Sequence, residues 1–458
     1  MSTRAGGTSR VSGLGARKVV LLAASYVFYG WWDWRFCFLL AFASLIAWVA
    51  GLILHPEQAH RQRKTVLIAA VTVLLGVLAF FKYYGFFLES LQDILFAMGL
   101  ERDLPLLAII LPVGISFFTF QAISYVVDVY RGAIKARQDP VAVLLYISFF
   151  PQLVAGPIVR AADFLPQLDA KPSLSRAMVG FGLALCALGL FKKMVVANYL
   201  AVDLVDPVFL DPTAYSSLVV LMGVYGYAVQ IYCDFSGYSD IAIGTAALLG
   251  YRFKPNFNQP YRASTLQDFW RRWHMSLSQW LRDYLYIPLG GSRHGTAKTY
   301  RNLFLTMLLG GLWHGAAWNF VLWGALHGAW LALERAMGVG QAPDGSKRWK
   351  SLLGWFVTFH VVCAAWVLFR APDMQTVFDW FTTLAAATGG LEGLTVLATL
   401  LIATTLISQF LPAQWGERWG SALANRSVVW ALTAFIVAVL TTVLVAPPGT
   451  APFIYFQF

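Results

Sequence analysis

Three histidines sit where a histidine can do chemistry. His274 lies in DFWRRWHMS, His314 in GGLWHGAAWN and His327 in LWGALHGAW. Each is set among tryptophans, glycines and apolar residues rather than in a polar stretch. A titratable side chain inside an apolar segment is expensive to desolvate and marks a functional site by default. A neutral imidazole in a dry cavity can take a proton from a hydroxyl, which is general-base chemistry. His314 suits that part best, because the flanking glycines let a backbone or a ligand come close. Trp313 and Asn319 stand beside it in the same motif. His274 can position a donor or polarise a thioester. His327 is thirteen residues beyond His314, about 20 Å and 220° away on one continuous helix. The pair cooperates only if the chain bends, so a supporting or packing role is expected for His327. His55, His60, His294 and His360 read as solvated or packed.

Other chemistries find little support. None of the three histidines stands at i, i+4 from another, and no carboxylate accompanies them at ligand spacing, so no metal is expected. There is no GxSxG, no Walker A and no dinucleotide fingerprint, which leaves a serine hydrolase or a nucleotide-driven pump without a motif. Four cysteines, Cys37, Cys186, Cys233 and Cys363, are far apart and form no CxxC. Arg271, Arg272, Arg282 and Arg293 are basic enough to hold the phosphates of a donor, although ordinary charge asymmetry across a membrane would also place them there.

The elements that must position these residues are membrane helices. The chain has 458 residues, 58% hydrophobic and 12% charged, against about 25% charged in a soluble domain. Its apolar runs are long and continuous, which excludes an outer-membrane barrel. The net charge of +11 sits in short loops between the runs, as the positive-inside rule requires, so nucleic acid is not an expected partner. The fold class is all-α: a polytopic membrane protein with roughly ten to twelve segments, some re-entrant. Residues 1–18 are expected to be a disordered basic cytoplasmic tail, and 19–458 one transmembrane domain with its chemical core at 225–335.

Along the chain, Tyr29 to Arg35 reads as an interfacial turn between two helices. Pro112 and Gly114 predict a break or a kink in the segment from Leu104 to Val127. Pro151, Gly156 and Pro157 cut Val141–Arg160 below spanning length, which predicts a re-entrant segment. Lys192 and Lys193 fall inside an outward-going span and break the charge pattern. Asp234 and Asp240 are six residues apart, about 240° on a helix, and face differently unless Gly237 breaks it. Thr265 to Tyr286 has apolar residues at helical spacing and a basic opposite face, which predicts one amphipathic helix in the interface. Asn302 to Trp330 re-enters the membrane, broken at Gly310-Gly311 and Gly315. No internal repeat is evident, which weighs against an inverted-repeat transporter.

Several long motifs then resemble one family. DFSGYSDIAIG, NFNQPYRASTLQDFWRRWHMSLSQWLRDYLYIPLGGSR and LLGGLWHGAAWNFVLWGALHG are similar to the membrane-bound O-acyltransferases, in the branch that acetylates bacterial polysaccharides. FFPQLVAGPIVR and the terminal PFIYFQF resemble that branch too. The similarity runs from about Tyr26 to Phe458. In one departure, such relatives carry a further apolar helix before the YVFYGWW stretch, where this chain has polar Gly/Ser sequence.

The resemblance implies a helical fold with a funnel-like centre in the bacterial cytoplasmic membrane, N-terminus inside. It implies transfer of an acetyl group from a cytosolic thioester, acetyl-CoA, with no tightly bound cofactor. The family's essential histidine falls on His314 and a second motif histidine on His274. His327, Asn319, Trp313 and Asp234 are expected to support them. The acetyl group is expected to pass to an extracytoplasmic SGNH-like partner with a serine nucleophile and then to an exported polysaccharide. The alternatives are D-alanyl or other acyl transfer to a cell-wall polymer or lipid, and a transporter or flippase without chemistry.

Overall fold

The computed structural model describes residues 5–54, 59–100, 104–105, 107–339, 348–412, 427–449 and 453. His55, and the terminal PFIYFQF apart from Phe453, lie outside them. No strand occurs among the described residues. Among the described residues six helices are long and apolar enough to cross a membrane, and two shorter apolar helices join them. The chain divides into two compact units, Met1–Leu174 with Leu249–Phe253, and Ser175–Leu248 with Lys254–Phe458.

The first unit begins with α1 (Ala5–Asp33) and α2 (Arg35–Ile53). Helix therefore starts at Ala5, inside the stretch that the sequence reading sets apart as a tail. Two of that stretch's charges are anchored. Arg17 donates to the Leu249 carbonyl at 2.6 Å, and Lys18 pairs with Asp139 and Asp169 at 3.3 and 3.1 Å. The expected turn falls at Trp34, where the Asp33 carboxylate accepts from the Arg35 backbone at 3.0 Å. Next come α3 (His60–Ala97), α4 (Ile115–Tyr130), α5 (Pro140–Ser148), α6 (Phe150–Leu153) and α7 (Ala161–Asp169). Of the two outcomes expected at Pro112 and Gly114, the structure shows the break and not the kink. Both residues precede a helix: Gly114 has φ +76° at the start of α4. A side chain there would strike the Leu153 carbonyl at 2.6 Å. The short α5 and α6 match the broken segment read at Pro151.

The second unit holds the three candidate histidines, His274, His314 and His327. It opens with α8 (Arg176–Leu210), capped by the Ser175 side chain and interrupted by π turns at Lys192–Ala197 and Ala201–Val205. The chain returns through α9 (Ser217–Leu248). These two pack backbone to backbone: a β-carbon on Gly237 would meet the Gly189 carbonyl at 2.7 Å, and one on Gly244 the Gly182 carbonyl at 2.7 Å. Gly237 therefore joins helices and leaves α9 unbroken. The two lysines that disturb the charge pattern are neutralised inside the pair, Lys192 by Asp240 at 2.7 Å and Lys193 by Asp234 at 2.5 Å. π turns change which residues face a neighbour, and they occur often at functional sites.

Helices α10 (Leu266–Arg272) and α11 (Met275–Leu281) replace the single amphipathic helix expected over Thr265–Tyr286. The chain breaks at Trp273–His274 and runs on from α11 through a π turn, Arg282–Tyr286. The apolar stripe was read correctly but its destination was not. Leu266 and Leu277 are fully buried in protein, as are Phe269 and Trp273 to within 1%. Then α12 (Thr296–His314) and α13 (Trp318–Ala336) form a helical hairpin. Gly310 and Gly311 are inside α12, and of the expected breaks the one at Gly315 is present, with the turn at residues 315–317. The glycines serve the seam. A β-carbon on Gly311 would meet Gly324 Cα at 2.9 Å, and one on Gly328 would meet Phe304 Cα at 2.8 Å. The unit closes with α14 (Arg348–Arg370), α15 (Met374–Ala385), α16 (Val396–Ser408) and α17 (Val428–Val445).

Candidate active site

The bend that sequence spacing demanded is present, and it brings His314 and His327 to one tryptophan. His314 is the last residue of α12, 3% exposed. Its ring lies edge-on to Trp323 at 5.0 Å, Phe369 at 5.4 Å and Trp313 at 5.1 Å between centroids. His327, on α13 and fully buried, is 4.5 Å from the same Trp323. His274 is also fully buried, with Phe235 of α9 at 4.6 Å and Trp313 at 6.2 Å. The three imidazoles thus share one aromatic cage, walled by Trp313, Trp323 and Phe369 and backed by Trp366.

Each histidine is held by a local device. His274 has φ +41°, a left-handed conformation that costs a non-glycine residue about 1–3 kcal/mol and collects at active sites. Asn256 offsets the strain. Its backbone carbonyl accepts from Met275 N at 2.8 Å, and its side-chain carbonyl accepts from Ser276 N at 3.1 Å and Ser276 Oγ at 2.9 Å. Burial lowers the His274 pKa to about 3, so this ring is neutral at ordinary pH. His327 is oriented by Trp270 of α10, whose Nε1–H donates to His327 Nδ1 at 3.3 Å. His314 takes its place from the hairpin turn. Asn319 braces that turn by donating to the Ala371 carbonyl at 2.9 Å.

A cleft of about 460 Å³ opens at the basic end of the hairpin. Arg271, Arg282 and Arg335 line it, with Gln267, Ser278, Trp270 and Glu334. It reaches along α12 to Met307 and along α13 to Leu331. His314 is seven residues beyond Met307, about 10 Å deeper, and His327 is one turn beyond Leu331, about 6 Å deeper. Trp270 is both a wall of the cleft and the partner of His327. Glu334 fixes the start of α10 by accepting from Leu266 N at 2.6 Å and Gln267 N at 3.2 Å. Burial raises its carboxyl above the ordinary range, opposed by those two N–H donors.

The sequence candidates therefore separate. His274, His314, His327 and Trp313 come together, with Asn319 bracing the turn. Asp234 pairs with Lys193 between α8 and α9, while its neighbour Phe235 supports His274. Arg271 and Arg282 enter the cleft. Arg272 turns to Asp268 at 2.9 Å, and Arg293 is exposed outside the lining. Sequence reasoning missed Trp270, Trp323, Glu334 and Arg335. Trp323 stands four residues before His327 on one helix face, a legible pair, whereas Trp270 and His327 meet across 57 positions. Of the remaining histidines, His360 bonds to Tyr225 at 2.7 Å and His60 lies 6.2 Å from the Tyr130 ring. No group of three or more His, Cys, Asp or Glu among the described residues is placed to hold a metal ion.

Long apolar helices, a cage of three buried histidines and a basic cleft at the open end of their hairpin define a polytopic membrane protein. Residues 131–371 match the membrane-bound O-acyltransferase family, and the chain belongs to that family. It is an acyltransferase. It is 42% identical to a probable alginate O-acetylase of Pseudomonas aeruginosa over 92% of this chain and 82% of that protein. The corresponding Pseudomonas putida protein is 38% identical over 98% and 96%. A peptidoglycan O-acetyltransferase of Helicobacter pylori is 37% identical over 78% and 72%.

Proposed function

We propose that the protein takes an acetyl group from acetyl-CoA on the cytosolic side and delivers it to a hydroxyl reached from the opposite side of the bacterial cytoplasmic membrane. The observation that carries this reading is the position of His314: buried at the tip of a hairpin, about 10 Å beyond a cleft lined by three arginines. The basic end of the hairpin faces the cytosol by the positive-inside rule, which also puts the N-terminus inside. Arg271, Arg282 and Arg335 receive the donor's phosphates at the mouth. The pantetheine arm runs inward and sets the thioester in the cage.

His314 acts as general base. It takes the proton from the acceptor hydroxyl as the hydroxyl oxygen bonds to the thioester carbon. The tetrahedral intermediate then collapses, the C–S bond breaks, and the same proton passes from His314 to the leaving thiolate. His274, neutral and one tryptophan away, orients the reactants. Relatives named as alginate and peptidoglycan O-acetyltransferases favour a cell-surface or exported polysaccharide as final acceptor. An extracytoplasmic SGNH-like partner with a serine nucleophile carries the group there. The test is release of free thiol from acetyl-CoA by the purified protein with its partner. Parent protein is expected to turn over, and His314→Ala to lose at least about a hundredfold in kcat. A folded His314→Ala with parental kcat refutes the assignment of the base.

A further inference from the structure

We infer that His327 is a third histidine of the reaction, donating a hydrogen bond from Nε2–H to the carbonyl oxygen of the acyl group as it becomes an oxyanion. The inference rests on the acyl-transfer reading above and goes beyond it in assigning the group that stabilises developing charge.

The tautomer is the first step. An indole N–H only donates. Trp270 Nε1 lies 3.3 Å from His327 Nδ1, so Nδ1 must accept and the ring proton must reside on Nε2. The ring is therefore neutral while that bond stands, because an imidazolium would set two N–H groups against each other. The second step is the fate of Nε2–H. It is fully buried, and no partner for it exists among the described residues. An unsatisfied buried donor is destabilising, and an apolar residue of the same shape would avoid that cost. A donor kept in a dry aromatic cage is the arrangement expected where charge develops during a reaction.

Position supplies the third step. On α13 the cleft-lining residues are Leu331, Glu334 and Arg335. His327 comes one turn deeper and Trp323 one turn deeper again, with His314 against Trp323. A thioester moving from the cleft toward His314 passes His327. Trp270 both faces the donor and fixes the His327 proton, so one residue couples the cleft to this hydrogen bond.

The experiment uses the full chain in detergent together with its partner and follows thiol release from acetyl-CoA by parent, His327→Leu, His327→Gln, Trp270→Phe and His314→Ala. Loss of one oxyanion donor typically lowers kcat by about 10²–10³. That loss is expected in His327→Leu with donor KM within about twofold. His327→Gln carries an N–H near the Nε2 position and should recover at least about tenfold of the loss. Parental kcat in folded His327→Leu, with His314→Ala inactive, overturns the inference alone. Equal impairment in the leucine and glutamine variants also overturns it, since packing would then be the cause. If His327→Leu does not fold, His327→Gln and Trp270→Phe decide: the glutamine variant should retain more kcat than Trp270→Phe, and parental kcat in Trp270→Phe refutes the tautomer argument. Absence of thiol release by the parent protein refutes the acyl-transfer reading itself, and this inference falls with it.

Discussion

Replacing Gly311 by alanine should nearly silence the enzyme without unfolding it. The added methyl group would stand 2.9 Å from Gly324 Cα and 3.0 Å from Gly324 N, and closer still to the Phe320 carbonyl. These are backbone atoms, so no side chain can swing away. Ordinary contact begins at 3.4 Å, and the Phe320 carbonyl, the nearest of the three, sets the requirement, so α12 and α13 must part by more than about 1 Å. His314 is three residues further along α12 and its neighbour Trp323 is on α13, so the separation opens the cage between them. A misplacement of about 1 Å commonly costs about a hundredfold in rate. The assay is thiol release from acetyl-CoA, with a monodisperse gel-filtration peak as the check on folding. Gly76→Ala on α3 is the control, since nothing lies within 4 Å of its added methyl. A folded Gly311→Ala with kcat within about threefold of the parent would refute the idea that cage geometry is set by this seam.

Arg271→Ala and Arg282→Ala should each raise donor KM several-fold, about 1–2 kcal/mol of lost charge-assisted binding, with kcat little changed; a salt series on KM checks it. Lys193→Met alone should lower the melting temperature, since breaking a buried pair costs about 3–5 kcal/mol, while Lys193→Met with Asp234→Leu should regain most of it; thermal unfolding in detergent reads both. His274 is a base whose folded pKa is depressed to about 3. It therefore contributes stability above its unfolded value of about 6.5, and that contribution is lost as pH falls toward 3. The melting temperature of the parent should drop more steeply below pH 6.5 than that of His274→Asn.

Much of this was visible in the sequence. Periodicity marked the helices, Pro151 and Gly156 marked the short broken ones, and the three histidines announced themselves by their apolar surroundings. What periodicity reports is the face a helix buries, not what covers it. The stripe of Leu266, Phe269 and Trp273 was legible, but protein rather than lipid covers it. Lys192 and Lys193 looked anomalous because their partners, Asp240 and Asp234, lie on the next helix and π turns set the register between them. A glycine pair can break a helix or join two, and composition does not distinguish these. Gly310-Gly311 sits inside α12 because the next helix comes too close for a side chain. The Trp270–His327 bond was beyond sequence reasoning, since no local spacing encodes a meeting across 57 residues.

The hairpin that carries His314 has a consequence for biogenesis. Neither α12 nor α13 is among the helices long and apolar enough to cross a membrane unaided. Arg301 and Asn302 on one and Glu334 and Arg335 on the other make solitary insertion unfavourable. The glycine seam between them lets the two helices enter as a pair, hiding backbone and polar groups from lipid. Helices α8, α9 and α14 of the same unit can be placed first, since each contains a long apolar span. The histidine cage then forms only after those three helices are in place. A chain halted before the hairpin docks is membrane-bound and helical but lacks the histidine cage.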